Sequence, residues 1–341
     1  MNTKPFKTLN KQMKILRDRG LSVQSSAKRD LEQIGYYSLI NGYKWLFLQR
    51  DSNGHVLRPE QYRNGATFEE IRDLYEFDVE LRSALYDAIL KYESILRAEI
   101  SYRFSEKYPQ EHSYLAIDNY NRDSRYASSV VGTISSLSNT IKRESITGDK
   151  NQQIVKRKKL RKKDNNAVHH YINKHGHVPL WVLVNFLTFG DINYFYRNII
   201  PELQIEISKD FKDQRTRSYN NKKQSAITPN AIKSVNHIVN LFRNSVAHGE
   251  ITYSKKIYNT PNLQDVKDAL NQINLKLSSQ AGVFELLIIL KVVLPKKNYE
   301  SLFKRVTKII KIYDTKFKSV PFTAVLQDMN FPSDYIFQLK P

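Results

Sequence analysis

The sequence predicts an all-α fold, a helical bundle with at most one small β-hairpin. Three observations carry this. Nearly every long segment of the 341-residue chain places its apolar residues three or four apart. Gly and Pro, the residues that most often interrupt helices, number only 11 each. Hydrophobic residues make up 40% of the chain and no internal repeat is visible, so the helices can close over a sizeable core, as one large domain or two smaller ones.

Residues 8–19 and 26–34 read as short helices, followed by the aromatic-dense GYYSLINGYKWLFL at 35–48. Asp51-Ser52-Asn53-Gly54 is a hairpin turn. Residues 1–66 thus form an N-terminal helical and aromatic region. Thr67-Phe68-Glu69-Glu70 is a capping box, in which hydroxyl and carboxylate each satisfy a backbone N–H that the first helical turn leaves free. It opens the longest periodic stretch, about 67–107, where Leu74, Phe77, Leu81, Leu85, Ile89, Tyr92, Leu96 and Ile100 mark a core helix. Residues 67–118 are therefore the long core helix of the bundle. Glu93 and Arg97 stand one turn apart on it. The first reading of that pair is surface support, the second a place in a polar centre beside Arg243.

Residues 119–166 change character: Ser, Asn and Lys dominate and the apolar pattern thins. This is a basic linker or an RNA-contact insertion. Its block Lys156-Arg157-Lys158-Lys159-Leu160-Arg161-Lys162-Lys163 repels itself unless it meets anions, which suits a phosphate backbone; a solvated helix face or loop is the alternative. Residues 167–341 form the remaining helical region. Four of the eight histidines fall at 169–177, where His175 and His177 with His169 or His170 have zinc-ligand chemistry, but RNA contact or plain surface is favoured and no metal is expected. Residues 178–198 read as two helices broken at Phe189-Gly190, with Trp181, Leu183, Val184 and Leu187 in the core. Residues 202–224 are polar and basic and end in Lys222-Lys223, further candidates for RNA contact. Three helices follow at 262–276, 279–294 and 297–317, and another begins after Pro332.

Residues 228–252 carry the chemistry. Thr228 is a candidate N-cap, Pro229 a first helical residue and Gly249 a stop. Ile232, Val235, Ile238, Val239, Phe242 and Val246 form one apolar stripe. At about 100° per residue, His237, Asn240, Asn244 and His248 line the opposite face, with Arg243 at the edge between the two. An arginine, an amide and an imidazole at one helix end can hold a phosphate. The plainer reading is a helix C-terminus, with His248 opposing the dipole and Arg243 paired with Glu250 or Asp78.

The net charge of +20 and a pI near 9.7 favour a polyanionic partner. With no Cys, disulfides, thiolate zinc sites and cysteine nucleophiles are excluded. The first residues lack the apolar core of a signal peptide. The longest apolar run, Val283 to Leu294, is interrupted by Glu285 and Lys291 and is too short for a bilayer. The expectation is a cytoplasmic protein with no membrane partner.

Arg243-Asn244-Ser245-Val246-Ala247-His248 resembles the HEPN nuclease signature, in which Arg and a polar residue precede a His four to six positions after the Arg. A second match, Arg50 to His55, spans the hairpin turn and is a decoy. Gly35-Tyr36-Tyr37-Ser38-Leu39 with Gly42-Tyr43, Gly65-x-Thr67-Phe68 leading to Phe77-Asp78-x-x-Leu81-Arg82, Pro179-x-Trp181-Val182 with Phe189-Gly190, and Phe331-Pro332 complete a set spanning nearly the whole chain. Together they resemble the bacterial abortive infection family of the AbiD/AbiF type. Two positions depart from its pattern: Ser38 replaces a basic residue, and Gly249 stands where a second His often follows.

The resemblance implies phage defence by growth arrest, a HEPN-like helical core, and RNA as ligand and substrate, either a target or a small non-coding RNA. It implies metal-independent cleavage, without cofactor, by attack of a ribose 2′-OH on the adjacent phosphate. In that scheme His248 is the acid or base, Arg243 holds phosphate oxygens, and Asn244 orients His248 or the scissile phosphate. His237 joins the lysine and arginine blocks as an RNA contact. One set supplies too few groups for both proton transfers, so a homodimer is expected, and Leu241 on the polar face offers a contact for the partner helix. Three readings compete: a non-catalytic binder of structured RNA, a DNA-binding regulator and a structural interaction protein.

Overall fold

The computed structural model describes residues 5–146, 166–220, 225–271 and 275–341. The basic block 156–163 and the pair Lys222-Lys223 lie outside the described residues. The described residues form helices and isolated β-bridges, with no sheet. The fold is all-α, as the periodicity predicts.

In chain order the helices are α1 (Leu9–Asp18), α2 (Ala27–Ile34), α3 (Phe68–Lys107), α4 (Ala127–Ile146), α5 (Ala167–His175), α6 (Leu180–Leu183), α7 (Phe189–Asn198) and α8 (Pro201–Tyr219). They continue with α9 (Pro229–Ala247), α10 (Gln264–Leu270), α11 (Val283–Val293), α12 (Lys296–Asp314), α13 (Phe322–Asp328) and α14 (Tyr335–Leu339). The aromatic stretch after α2 folds into a π-helical turn, Tyr37–Asn41, and a 3-10 turn, Lys44–Phe47. Between them and α3, bridges Leu48–Tyr62 and Arg50–Val56 make a short hairpin. Asp51 closes it by accepting from the backbone of Asn53 and His55 at 2.9 and 2.8 Å. His55 of the decoy match sits on its outside.

The 40-residue α3 is the axis of the molecule. Thr67 Oγ1 accepts from Glu70 N at 3.2 Å and Glu70 Oε2 accepts from Thr67 N at 3.1 Å, so the capping box forms. All eight apolar residues expected along it are buried. Helices α12, α8, α9, α6, α7 and α11 pack around it. Helix α11 is buried on every side. Its two interrupting charges are satisfied internally: Glu285 accepts from Gly282 N at 2.7 Å, and Lys291 donates to the Gln338 carbonyl at 2.9 Å. Burial pushes the Lys291 ammonium down to about 8.

Five expectations change. Within 119–166, residues 127–146 form a regular helix, α4, packed on α7. The polar segment at 202–219 is helical too, burying Leu203, Ile207 and Phe211 one turn apart. The break in 178–198 comes at Leu187-Thr188, because Thr188 and Asp191 form a capping box that starts α7 at Phe189. Trp181, expected in the core, is 57% exposed, whereas Leu183, Val184 and Leu187 are buried. Helix α10 ends at Leu270, where Asn271 turns left-handed at φ 52°. No described helix is long and apolar enough to cross a membrane.

Candidate functional site

Helix α9 runs through the middle of the bundle, between α3, α7, α8, α10 and α11. Thr228 Oγ1 accepts from Ala231 N at 3.0 Å and donates to Asp265 Oδ1 at 2.8 Å, which caps α9 and ties it to α10. Pro229 occupies the first helical position. The six residues of the apolar stripe are buried. Asn236, also fully buried, accepts from the Tyr92 hydroxyl of α3 at 2.5 Å. These contacts fix the rotation of α9, and with it the direction of its polar residues.

The C-terminal end of α9 is held by a separate device. Asp78, fully buried on α3, accepts from Tyr43 Oη (2.8 Å), Arg82 Nη1 (2.6 Å), Thr252 N (3.1 Å) and Tyr253 N (2.7 Å). Arg82 also donates to the Glu250 carbonyl at 3.2 Å. Burial pushes the Asp78 carboxyl up, while Arg82, Tyr43 and the two backbone donors oppose it. Gly42 packs against the same loop: a Cβ there would meet Ile251 Cδ1 at 3.2 Å. The segment just after His248 is thus clamped to α3. Gly42, Tyr43, Asp78 and Arg82, which came from separate stretches of the resemblance, meet at this one point.

The Arg-Asn-x-x-x-His residues take distinct places. Arg243 is partly buried and its Nε lies 3.6 Å from Glu93 Oε2, so its acidic partner is Glu93, not Glu250 or Asp78. Glu93 is 4% exposed, and its other oxygen accepts from Arg97 Nη2 at 2.5 Å. Arg97 Nη2 also donates to the Leu187 carbonyl at 2.7 Å, at the turn before α7. Glu93 and Arg97 therefore belong to a polar centre beside Arg243, the second of the two readings of that pair. Three atoms of the centre, Glu93 Oε2, Arg97 Nε and Arg243 Nε, are buried without a hydrogen-bond partner. The Glu93–Arg97 side of it opens into a cleft of about 390 Å³, lined also by Leu90, Ser94, Trp181 and Asn185.

Asn244 and His248 are exposed. His248 caps the helix, its backbone N–H donating to the Asn244 carbonyl at 3.0 Å, and Gly249 follows at φ 69°. One turn apart, the two residues lie on one flank of the end of α9. His237, one of the expected RNA contacts, is exposed two turns earlier. Burial and the positive charge of Arg197 pull its imidazole toward the neutral form, and the same two causes lower Lys233. Arg197, Lys233 and His237 thus make a basic patch on α7 and α9. Leu241 is 37% exposed on the polar side of α9, where the helical wheel puts it.

In the His-rich stretch, His177 Nδ1 lies 3.3 Å from Glu111 Oε1. Among the described residues no group of three or more His or carboxylate side chains could hold a metal ion.

Sequence reasoning ranked Glu93–Arg97 second as a functional pair and placed Trp181 in the core. The signal for the first was present: acid-x-x-x-Arg recurs on α3, at 78–82, 93–97 and 99–103. No local signal exposes Trp181.

Comparison with curated proteins and with solved structures finds no match. The family model described as Abi-like protein matches residues 29–254, a span that contains the Asp78 clamp, the Glu93 centre and all of α9. The chain therefore belongs to the Abi-like protein family, which points to a role in phage defence.

Proposed function

We propose that this protein is an RNA-binding abortive-infection effector that cleaves RNA without a metal ion, in the manner of HEPN nucleases. The observation that carries the reading is the placement of Arg243. Its guanidinium rests against a buried carboxylate at the edge of an open cleft, on the same last turns of α9 that present exposed Asn244 and His248.

In the proposed reaction the ribose 2′-oxygen attacks the adjacent phosphorus. The 2′-OH proton leaves to a base, the P–O5′ bond breaks, and the 5′-oxygen takes a proton from an acid, leaving a 2′,3′-cyclic phosphate. His248 serves as base or acid, imidazole being the side chain that exchanges protons near neutral pH. Arg243 donates to the non-bridging oxygens, more strongly as charge builds on the phosphorane. Glu93 restrains that guanidinium so that little reorganisation is needed during reaction. Asn244, one turn before His248, orients the imidazole or the phosphate. A single imidazole cannot perform both transfers in one step, so a second copy supplies the other. Leu241 gives the two α9 helices an apolar contact. The surplus of +20 and the Arg197–Lys233–His237 patch provide phosphate affinity.

The test is incubation of purified protein with a labelled host RNA in EDTA, followed by analysis of ends. New 3′ ends carrying cyclic phosphate are expected. RNA that remains intact within a stable complex would replace the nuclease reading with that of a non-catalytic binder.

A further inference from the structure

We infer that the cleft between α3 and α6 is a nucleobase subsite, with Trp181 as its stacking platform and Arg97 as a second guanidinium facing the RNA backbone. This deepens, and rests on, the reading of the chain as an RNA-cleaving protein.

Trp181 and Glu93 stand out from their surroundings in opposite ways. Trp181 is 57% exposed on a short helix whose neighbours Leu183 and Val184 are buried. Its large apolar ring is left uncovered at the mouth of a concave surface. Glu93 is the reverse, a carboxylate 4% exposed with one oxygen lacking any hydrogen bond. Buried polar atoms are nearly always paired. Here Glu93 Oε2, Arg97 Nε and Arg243 Nε all lack a hydrogen bond around one centre, although the first and last form an ion pair at 3.6 Å, and Glu93 and Arg97 line the cleft. A ligand bringing both donors and acceptors would complement the cleft that Glu93, Arg97 and Asn185 line. A nucleotide does so: its base edge carries both, and its phosphate matches a guanidinium.

The dimensions and the remaining lining suit that ligand. A volume of about 390 Å³ lies in the range of small-molecule sites. Asn185 donates its amide N–H to the carbonyls of Trp181 and Val182 at 3.0 and 3.3 Å, which holds the side chain at the rim and leaves its oxygen free for a base edge. Arg97 is fixed by Glu93 and by the Leu187 carbonyl, so its planar fork is oriented before RNA arrives. Arg243 sits on the other oxygen of the same carboxylate. A base stacked on Trp181 therefore belongs to a nucleotide whose phosphate lies near the pair of guanidiniums, next to the proposed reaction centre. An indole face accepts only an unstacked base, so the subsite selects single-stranded or looped-out nucleotides.

The chain has two tryptophans, and Trp45 lies in the N-terminal region. Trp45→Phe leaves Trp181 as the sole indole reporter. The probe is a short 2′-O-methyl oligoribonucleotide, which binds but cannot be cleaved, with binding followed independently by anisotropy. Saturable quenching of Trp181 emission is expected. Arg97→Gln should weaken binding about tenfold, and Trp181→Ala roughly five- to hundredfold, with partial recovery in Trp181→Phe. On cleavable RNA, Trp181→Ala should raise KM and leave kcat within about threefold. Because Trp181 is exposed, its variants test the subsite even if Arg97→Gln fails to fold.

Emission that ignores an oligonucleotide bound by anisotropy overturns the subsite, and if His248-dependent cleavage persists the ribonuclease reading survives it. A blue shift that depends on protein concentration and not on RNA also overturns it, marking the cleft as a contact between copies. Quenching with RNA left intact supports the subsite and removes the ribonuclease reading.

Discussion

Helix α3 carries the pattern acid-x-x-x-Arg three times, at 78–82, 93–97 and 99–103, and the first two copies do opposite things. Asp78–Arg82 is closed. The Asp78 carboxylate takes donors from Tyr43, Arg82, Thr252 and Tyr253, and the unit clamps the loop that follows α9. Glu93–Arg97 is open. It reaches Arg243 of α9, leaves three polar atoms without hydrogen bonds, and borders a cleft. Spacing and residue type are nearly the same. What differs is the supply of backbone donors: the 250–253 loop brings N–H groups to Asp78, whereas Glu93 has only guanidiniums for partners. A fully satisfied buried charge is a structural part, and an incompletely satisfied one is available to a ligand.

The largest expected effect tests that division at its closed end. Asp78→Ala leaves two backbone N–H groups buried without partners and strips Arg82 of its carboxylate, and should destabilise the fold by about 3–5 kcal/mol in denaturant unfolding. Glu93→Gln, at the open end, keeps the side chain's shape and removes a charge shared by two arginines. It should destabilise by about 1–2 kcal/mol, since Arg97 retains the Leu187 carbonyl, while RNA cleavage falls about tenfold or more because Arg243 is no longer restrained. Equal stability losses at the two positions would erase the distinction between clamp and site.

Two smaller effects sharpen the account of α9. Leu241→Asp should shift sedimentation from a dimer to the 40.0 kDa of one chain, with the melting temperature of the isolated fold nearly unchanged. His237 gives a pH signature. Its folded-state value is lowered, so the folded protein binds fewer protons there than the unfolded chain, and stability falls as pH drops through the ordinary histidine value of 6.5. Bound phosphate favours the charged imidazole, so RNA binding between pH 6 and 7, roughly around the unperturbed histidine value, should take up protons. Calorimetry in buffers of different ionisation enthalpy measures that uptake, and His237→Gln should abolish it.

Much of this architecture was legible in the sequence because it is local. The α3 capping box lies within four residues, the stripe on α9 repeats every turn, and Thr228-Pro229 announces its own helix start. The misses are matters of depth and distance. Periodicity says which side of a helix is apolar but not whether another element covers it, so Trp181 read as core and is exposed. The polar α8 was not read as a helix because the stripe it buries is narrow. The backbone donors to Asp78 lie 174 and 175 residues away, beyond any local pattern. Only the resemblance flagged Tyr43 and Arg82, Asp78 was otherwise named only as a partner for Arg243, and nothing indicated that the three meet. Arg243 was found by its motif, but its acidic partner was ranked second because an i,i+4 pair on a long helix is more often a surface feature.

The central claim is that Arg243 and His248 act together on one phosphodiester. Arg243→Ala and His248→Ala should each lower the single-turnover rate of RNA cleavage in EDTA by roughly 10²- to 10³-fold, at unchanged fold and RNA affinity within about tenfold. The double variant should lose little more than either alone. Cleavage in EDTA at the wild-type rate by either well-folded variant would contradict the claim.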